Sequence, residues 1–308
     1  MTQATNARAP GKVILIGEHA VVYGHPALAG ALGSGVSVEA TPGSGLLRVP
    51  AWNVEVRADR EAASSLARAF AAILDRLATE PGWIAPSVDL TARFEVPSGA
   101  GLGSSAALSV AIVRALAAAA GRELPLPTVL EAAMAAETVF HGRASGIDHA
   151  VAAQGGFGLF TRADGLRPID AARPVPLVVG NTGRARDTQG RVARVAQLLD
   201  ERPGETRARF DAIAALVRRA AAAVAEARFG ELGAAMDEDQ RHLAALEVSC
   251  PEIEAMCALA HEAGAVGAKL TGGGGGGCVI ALAPGREDAV RAAWQRAGFD
   301  SFVTEVGA

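Results

Sequence analysis

The sequence is poor in lysine, cysteine and tyrosine, and these scarcities narrow the functions it can have. Its 29 basic residues include only two lysines, Lys12 and Lys269, and the formal net charge is −4. Without a basic cluster, nucleic acid is not an expected partner. The three cysteines, Cys250, Cys257 and Cys278, are too few and too widely spaced for a zinc site or a disulfide framework. We therefore expect reduced, structural thiols.

Long apolar runs are missing as well. No charge-free stretch of ~20 apolar residues is available to span a bilayer. The first residues, "MTQATNARAPGK", lack the basic-then-apolar pattern of a signal peptide. These absences predict a cytoplasmic protein without a membrane partner. With 50% hydrophobic and 20% charged residues over 308 positions, the composition is globular and suits one large or two medium domains.

Hydrophobic periodicity predicts a mixture of strands and helices. Predicted strands cover 12–16, 87–96, 157–161, 176–180 and 301–306, and a strand–glycine–strand segment covers 266–282. Predicted helices cover about 60–78, 104–120, 128–140, 187–200, 205–228, 230–246 and 252–263, with one more before the last strand. Residues 141–148 are predicted to form a loop. We place a domain boundary near residue 170, which gives domains 1–170 and 171–308.

The stretch "VPSGAGLGSSAALSV" (96–110) has the pattern of an anion site. A strand leads into a loop with Gly99, Gly101 and Gly103, and a helix opens at Ser104. Helix N-termini present unpaired N–H groups, and glycines let backbone approach a phosphate. Ser104 and Ser105 are suited to cap the helix or to reach a metal held by phosphates. A plain glycine turn with a serine cap and no ligand is the alternative, and neither a Walker A nor a Rossmann pattern fits.

A second polar segment is "APGKVILIGEHAVVYG" (9–24), where Lys12, Glu18, His19 and Tyr23 bracket one short strand. This is either a strand with a polar exit or part of a substrate pocket. The chain uses arginine for nearly every positive charge, and a compact ammonium fits where a planar guanidinium does not. A lysine at position 12 therefore favours the pocket.

Two further segments carry unusual residues. In "AAETVFHGRASGIDHAVAAQGG" (135–156), Glu137 lies among apolar residues, and Asp148 opens the next segment. A glutamate on a helix usually faces solvent and an aspartate at this place usually caps a helix, but an inward Glu137 needs a metal or a cation. In "KLTGGGGGGCVIAL" (269–282), six glycines between strands indicate close approach by another segment or by a nucleotide loop.

Together these segments resemble the kinase superfamily of galactokinase, homoserine kinase, mevalonate kinase and phosphomevalonate kinase, the GHMP kinases. That superfamily has an N-terminal Pro-Gly-Lys/Arg segment, a Pro-x-x-x-Gly-Leu-Gly-Ser-Ser-Ala loop and a C-terminal glycine-rich block, all present here in order. "GEHAVVYG", "GAGLGSSAA", "HGRASGID" and "VGNTGRARDT" (179–188) resemble the mevalonate kinases in particular. Galactokinases have Gly-Glu-His-Thr-Asp-Tyr in the first block, and diphosphomevalonate decarboxylases have a different first block. Homoserine kinases lack the aspartate at position 148.

The resemblance implies an α+β fold with a ribosomal-protein-S5-like N-terminal domain, a ferredoxin-like C-terminal domain and an active site between them. It implies phosphorylation of the primary hydroxyl of mevalonate with ATP as co-substrate and Mg²⁺ as cofactor. Mevalonate would be the small-molecule partner, and a homodimer is expected because relatives are often homodimers.

The same resemblance implies roles for individual residues. Asp148 would be the catalytic base, with Lys12 beside it, and Ser105 and Glu137 would hold Mg²⁺. ATP would bind along Pro97, Gly99, Ala100, Gly101, Leu102, Gly103, Ser104, Ser105 and Ala106. Mevalonate would bind to Glu18, His19 and Thr188, with Arg162 or Arg186 for its carboxylate.

The sequence departs from the family pattern at two places. The third block reads "TGGGGGGC" where relatives usually have Thr-Gly-Ala-Gly-Gly-Gly-Gly-Cys, and His149 follows the expected base where Asn, Thr or Asp is common. The second departure bears on how Asp148 is positioned. Two other functions stay open: a superfamily kinase for another small alcohol, and a nucleotide-binding scaffold without catalysis. Lys12, Glu137 and Asp148 argue against the scaffold, which has no need of a base.

Overall fold

The computed structural model describes residues 4–97, 99–142 and 146–307. Within these ranges the chain forms eleven strands, nine α-helices and two short 3-10 helices. The strands are β1 (Thr5–Ile16), β2 (Ala27–Pro42), β3 (Leu46–Val49), β4 (Val54–Arg57), β5 (Val88–Phe94), β6 (Phe157–Thr161), β7 (Gly165–Ile169), β8 (Val175–Asn181), β9 (Gly267–Thr271), β10 (Cys278–Leu282) and β11 (Asp300–Val306). The helices are α1 (Ser65–Ala78), α2 (Ser104–Ala119), α3 (Leu126–His141), α4 (Ile147–Gln154), α5 (Thr188–Glu201), α6 (Pro203–Ala225), α7 (Phe229–Ala245), α8 (Pro251–Glu262) and α9 (Glu287–Arg296).

The chain forms two compact units that interleave along the sequence. The first contains the described residues of 1–12, 34–98 and 103–155, and the second contains those of 13–33, 99–102 and 156–308. β1 and β2 therefore contribute residues to both units. The division nearest to the predicted residue 170 falls at 155–156, because β6 pairs with β2 over Ala27–Gly30 and so belongs to the second unit.

The first unit is built on a small sheet covered by helices. β5 pairs antiparallel with β2 over Val36–Pro42 and parallel with β3, and β3 pairs antiparallel with β4. α2 contacts β5, α3 and α4, and α3 also contacts α1. In α2, each apolar residue from Ala106 to Ala117 is 4% exposed or less. A helix that is apolar all round belongs at the centre of a core, and this position fixes the place of its first turn.

Side-chain periodicity explains α1. Leu66, Phe70, Ile73 and Leu77 recur at helical spacing and are all buried. The helix begins at residue 65 rather than near 60, because the Ser64 hydroxyl accepts a hydrogen bond from the N–H of the third residue beyond it and so caps the helix.

The second unit contains a four-stranded antiparallel sheet in which β8 pairs with β10 and β11, and β10 pairs with β9. Across the sheet the order is β11, β8, β10, β9. Numbered by their order in the chain, the four strands are therefore arranged fourth, first, third, second. With helices between the first and second strands and α9 between the third and fourth, this is the ferredoxin-like arrangement. The predicted C-terminal fold is therefore confirmed.

Most predicted elements are present, with two kinds of difference. Residues 141–148 are not a loop throughout, because α3 extends to His141 and α4 begins at Ile147. Arg143, Ala144 and Ser145 of that segment lie outside the described residues. The sequence did not predict β2, β3, β4, β7 and α4. Among the described residues, no helix combines the length and the apolar character that crossing a bilayer requires.

Candidate active site

The first unit brings the two predicted catalytic side chains together. Lys12 of β1 is 4% exposed, and its Nζ lies 3.1 Å from Oδ1 of Asp148. Asp148 is in the first turn of α4, where helix N–H groups lack intrahelical acceptors and the helix dipole is positive. Its side chain is 34% exposed, so a substrate hydroxyl has access to it. The neighbouring His149 is buried, and this burial lowers its pKa, so its ring is neutral at pH 7.

A glycine lets Lys12 pass close to the start of α2. Gly103 is the N-cap of that helix with a φ of 70°, and a Cβ there would lie 2.9 Å from Cγ of Lys12. The left-handed backbone and the lack of space both require glycine. The predicted helix start at Ser104 is confirmed. The predicted capping by Ser104 and Ser105 is wrong, because Gly103 occupies the cap position and makes no side-chain hydrogen bond.

Glu137 faces inward, as the sequence predicts. It is 2% exposed, and Ser105 Oγ donates to its Oε2 over 3.4 Å. His141, one turn further along α3, places Nε2 3.2 Å from Ser105 Oγ and 3.7 Å from Glu137 Oε2. Burial, and after it the nearby charge of Asp148, raise the pKa of Glu137 to about 7, although Ser105 and Lys12 oppose the rise. The carboxyl group is therefore in a place that disfavours its ionised form.

The same group meets the requirements of a divalent-cation ligand. Among the described residues, Oε1 of Glu137 is buried and has no hydrogen-bond partner. A carboxylate oxygen and a serine hydroxyl are hard donors of the kind that Mg²⁺ binds. Three or more His, Cys, Asp or Glu side chains do not cluster as a metal site anywhere in the described ranges.

The predicted nucleotide loop has the backbone of a glycine turn. Gly99, Gly101 and Gly103 have φ values of 76°, 91° and 70°. Pro97 and Gly99 are exposed, and Ser98 lies outside the described residues. The other predicted members are buried or half-buried: Ala100, Gly101, Leu102, Gly103, Ser104, Ser105 and Ala106. Residues 99–102 belong to the second unit, and 103–106 belong to the first.

Arg186 lies against two glycines in the second unit. A Cβ on Gly101 would lie 3.0 Å from its Nη1, and a Cβ on Gly277 would lie 2.6 Å from its Cγ. The exposed side chain therefore runs along the backbone of the predicted nucleotide loop. Arg162 is also exposed and lies in the turn between β6 and β7.

The six-glycine block is closely packed, which confirms the prediction of close approach. A Cβ on Gly273 would lie 2.5 Å from Oγ1 of Thr188, and one on Gly274 would lie 2.1 Å from the carbonyl oxygen of Val248. Thr188 is the first residue of α5, after the N-cap Asp187. Gly273 thus makes room for the start of α5, and Gly274 makes room for the backbone at Val248.

Gly273 also connects two of the predicted substrate-binding residues. His19 Nε2 is 3.0 Å from its carbonyl oxygen, while Thr188 lies against its α-carbon. Burial lowers the pKa of His19, so the ring is neutral at pH 7 and donates to this carbonyl. Tyr23, by contrast, stacks on Phe210 of α6, with ring centroids 4.7 Å apart.

Glu18 belongs to a buried charged cluster that the sequence analysis did not identify. Glu18 is 1% exposed, and Lys269 of β9 and Asp239 of α7 are fully buried. Lys269 Nζ donates to Glu18 Oε1 at 2.5 Å and lies 3.4 Å from Asp239 Oδ2. The rarity of lysine was a signal for Lys269. Nothing marked Asp239, because acidic residues on a long polar helix are usually solvated.

Comparisons with known proteins agree with this geometry. The model of the GHMP kinase N-terminal domain matches residues 64–156, and that of the GHMP kinase C-terminal domain matches residues 220–300. Neither match crosses residue 170, so the domain boundary there stays a prediction.

Relatives match over nearly the whole chain. A mevalonate kinase from Pyrococcus horikoshii is 35% identical, over 99% of this chain and 96% of that protein. One from Aeropyrum pernix is 34% identical, over 92% and 89%. The crystal structure of L. major mevalonate kinase in complex with R-mevalonate is 26% identical and has a TM-score of 0.85, with 99% and 98% of the two chains covered. The α+β fold predicted from the sequence is therefore confirmed, and the chain belongs to the mevalonate kinase family of the GHMP kinases.

Proposed function

We propose that this protein transfers the γ-phosphoryl group of ATP to the primary hydroxyl of mevalonate, giving 5-phosphomevalonate and ADP. The observation that carries the proposal is the ion pair between Lys12 and Asp148, 3.1 Å long, in the unit that also holds Glu137 and the start of α2. The kinase family implies ATP as the co-substrate, and the family relatives cited above are mevalonate kinases.

The reaction requires little covalent chemistry from the protein. The hydroxyl oxygen of mevalonate forms a bond to the γ-phosphorus, the bond from that phosphorus to the departing ADP oxygen breaks, and Asp148 takes the hydroxyl proton. Lys12, buried opposite Asp148, supplies a fixed positive charge next to the reacting oxygen. Positioning and charge neutralisation account for most of the acceleration in phosphoryl transfer.

Ser105 and Glu137 are the residues that would hold Mg²⁺. When bound, the ion neutralises charge on the β- and γ-phosphates. The fit rests on the buried Glu137 oxygen without a partner and on the Ser105 hydroxyl 3.4 Å from the other oxygen. The phosphates themselves would lie along the glycine turn 97–106 and the N-terminus of α2, where N–H groups are available.

Mevalonate would be recognised by Glu18, His19 and Thr188, of which the last two meet at Gly273. Its carboxylate needs a cation, and Arg186 and Arg162 are the candidates. Arg186 also lies against Gly101 of the nucleotide loop, so its variants must be tested against both substrates.

The test is an ADP-release assay with ATP, Mg²⁺ and mevalonate, followed by mass spectrometry of the product. We expect singly phosphorylated mevalonate and one ADP per product. Phosphomevalonate, homoserine and galactose serve as competing acceptors, and faster turnover of any of them would replace mevalonate as the assigned substrate. Asp148→Asn is the matched control, because it keeps the shape of the side chain and removes the base.

The same assay decides whether the protein is a catalyst or a nucleotide-binding scaffold. A scaffold would bind ATP and release no ADP with any acceptor. The homodimer, the cytoplasmic location and the lack of a nucleic-acid partner stay predictions from the sequence.

A further inference from the structure

The charged cluster around Glu18 holds more negative than positive groups. Lys269, Glu18 and Asp239 lie in the second unit, each with at most 1% of its surface exposed. One ammonium thus faces two carboxyl groups in a place that water does not reach. If both carboxyl groups were ionised, the cluster would carry an uncompensated buried charge, which folded proteins avoid by neutralising a group.

The hydrogen bonds show the same imbalance. Lys269 Nζ donates to Glu18 Oε1 at 2.5 Å and to the carbonyl oxygen of Leu270 at 2.6 Å, and Oδ2 of Asp239 is 3.4 Å away. Within the described part of the chain, Oε2 of Glu18 and both carboxyl oxygens of Asp239 are buried without a hydrogen-bond donor. Two carboxylates side by side are all acceptors, and only a proton turns one of them into a donor.

We propose that Glu18 and Asp239 share one proton, that Asp239 carries it, and that the Asp239 hydroxyl donates to the carboxylate of Glu18. Asp239 is then a positioning residue for Glu18. The expected effect of Asp239 on mevalonate binding rests on the function proposed above, whereas the assignment of the proton to Asp239 does not.

Distance and burial assign the proton to Asp239. The ammonium is closer to Glu18, at 2.5 Å, than to Asp239, at 3.4 Å, so the negative charge is better compensated on Glu18. Burial raises the pKa of Asp239 well above its usual range. The Lys269 charge opposes this rise, and the charge of Glu18 adds to it. The nearby His19 is neutral and so adds no second positive charge.

This arrangement predicts which substitution Asp239 tolerates. An asparagine has the shape of a protonated aspartate and keeps an N–H donor for Glu18. An alanine removes that donor and leaves a buried carboxylate with less support. A purely structural role of Asp239 does not require it to be protonated. Infrared spectroscopy tests this directly, because a protonated carboxylic acid and a carboxylate absorb at different frequencies.

The first measurement is therefore spectroscopic and uses the full chain without substrates. We would record infrared spectra of the wild type and of Asp239→Asn at neutral pH and take their difference, in which the signal of Glu137 cancels because both proteins contain it. The difference should contain the carbonyl band of a protonated carboxylic acid, shifted in D₂O. Asp237→Asn, on the same helix, is the control. It shows the spectral change that the loss of any aspartate from α7 causes. A difference containing only carboxylate bands would overturn the proposal.

The second measurement is kinetic and separates positioning from protein stability. For Asp239→Asn we expect the KM for mevalonate within about twofold of wild type, and for Asp239→Ala a rise of about tenfold with the KM for ATP little changed. An equal rise in the KM for mevalonate in both variants would refute the positioning role. This conclusion holds even if the alanine variant folds poorly, because it depends on the KM of the asparagine variant. If the wild type does not phosphorylate mevalonate, the proposed function fails while the infrared result still decides the shared proton.

Discussion

The buried carboxyl group of Glu137 predicts a stabilising substitution that destroys the proposed activity. Replacing Glu137 by glutamine keeps the shape of the side chain and removes the charge. In the metal-free protein the charge is the unfavourable part, because burial and the charge of Asp148 both raise the pKa of this group. We therefore expect Glu137→Gln to be more stable than the wild type at alkaline pH and inactive as a kinase.

The size of the effect follows from the pKa shift. The ordinary pKa of 4.5, taken for the unfolded chain, rises to about 7 in the folded protein. Below the lower value both states are protonated and the group does not affect stability. Between the two values the unfolded chain ionises and the folded chain does not, so the free energy of unfolding falls as pH rises, and it levels off above the upper value. A side chain 2% exposed needs little correction for solvent, and the full loss is roughly 3 kcal/mol.

The assay is thermal unfolding of both proteins in EDTA between about pH 5 and pH 8, where most of this loss falls. The melting temperatures should be close at the acidic end. At the alkaline end the glutamine variant should melt higher by roughly 5 °C, given the size of the chain. Addition of Mg²⁺ and ATP should raise the melting temperature of the wild type more than that of the variant, since the variant lacks the ligand charge.

One result would refute this reasoning. A melting-temperature difference that is constant across the pH range would show that Glu137 does not titrate between the two states. The stability of the variant would then report packing around the side chain and nothing about its charge.

Four other substitutions test the remaining parts of the site. Asp148→Asn should leave ATP affinity within about twofold of wild type and reduce kcat by orders of magnitude, as measured by ATP titration and ADP release; a normal kcat would remove Asp148 from the mechanism. Lys12→Arg should lower kcat by at least about tenfold, because Gly103 leaves no room for a longer, planar group beside a side chain 4% exposed; wild-type turnover would contradict this. Gly103→Ala should lower the free energy of unfolding by about 2 kcal/mol in a urea titration, since φ is 70° and Cγ of Lys12 is 2.9 Å from the new Cβ; unchanged stability would show that the backbone relaxes. Arg186→Gln should raise the KM for mevalonate about tenfold if Arg186 binds the substrate carboxylate, and Arg162→Gln should do so if Arg162 binds it, whereas a rise confined to the KM for ATP would assign Arg186 to the phosphates.

Most helices were predictable from the sequence, whereas α4 and several strands were not. The apolar spacing of α5 to α8 fixes their bounds within about three residues, because one buried stripe is a local property of the chain. β2 contains three glycines and little that favours a strand. These glycines leave room for segments that are distant in the sequence. Local sequence patterns do not reveal such contacts. A Cβ on Gly35 would lie 2.1 Å from the carbonyl oxygen of Ala9, and one on Gly30 would lie 2.3 Å from Val306.

The residues of the site also divide into those that the sequence predicts and those that it does not. Lys12, Glu137 and Asp148 stand in segments whose composition already sets them apart. His141 had an available signal, because it follows Glu137 by four residues and so lies on the same face of α3. Asp239 had none, since its partners are 30 and more residues away in sequence and meet it only after folding.

Glu18 and Glu137, the buried glutamates among the described residues, illustrate how the surroundings decide what a carboxylate does. Glu18 has an ammonium at 2.5 Å that is itself fully buried, so its charge is compensated within the fold. Glu137 has a serine at 3.4 Å, while the nearest lysine is engaged 3.1 Å from Asp148. Lys12 only partly offsets the effects of burial and of the Asp148 charge, and the pKa of Glu137 rises to about 7. A carboxyl group in that state is ready to exchange a proton for an external cation as pH rises, whereas one with a resident ammonium is suited to hold a fixed charge in place. Burial alone therefore does not indicate a metal ligand, whereas burial without a close internal counter-charge makes a carboxyl group a candidate for one.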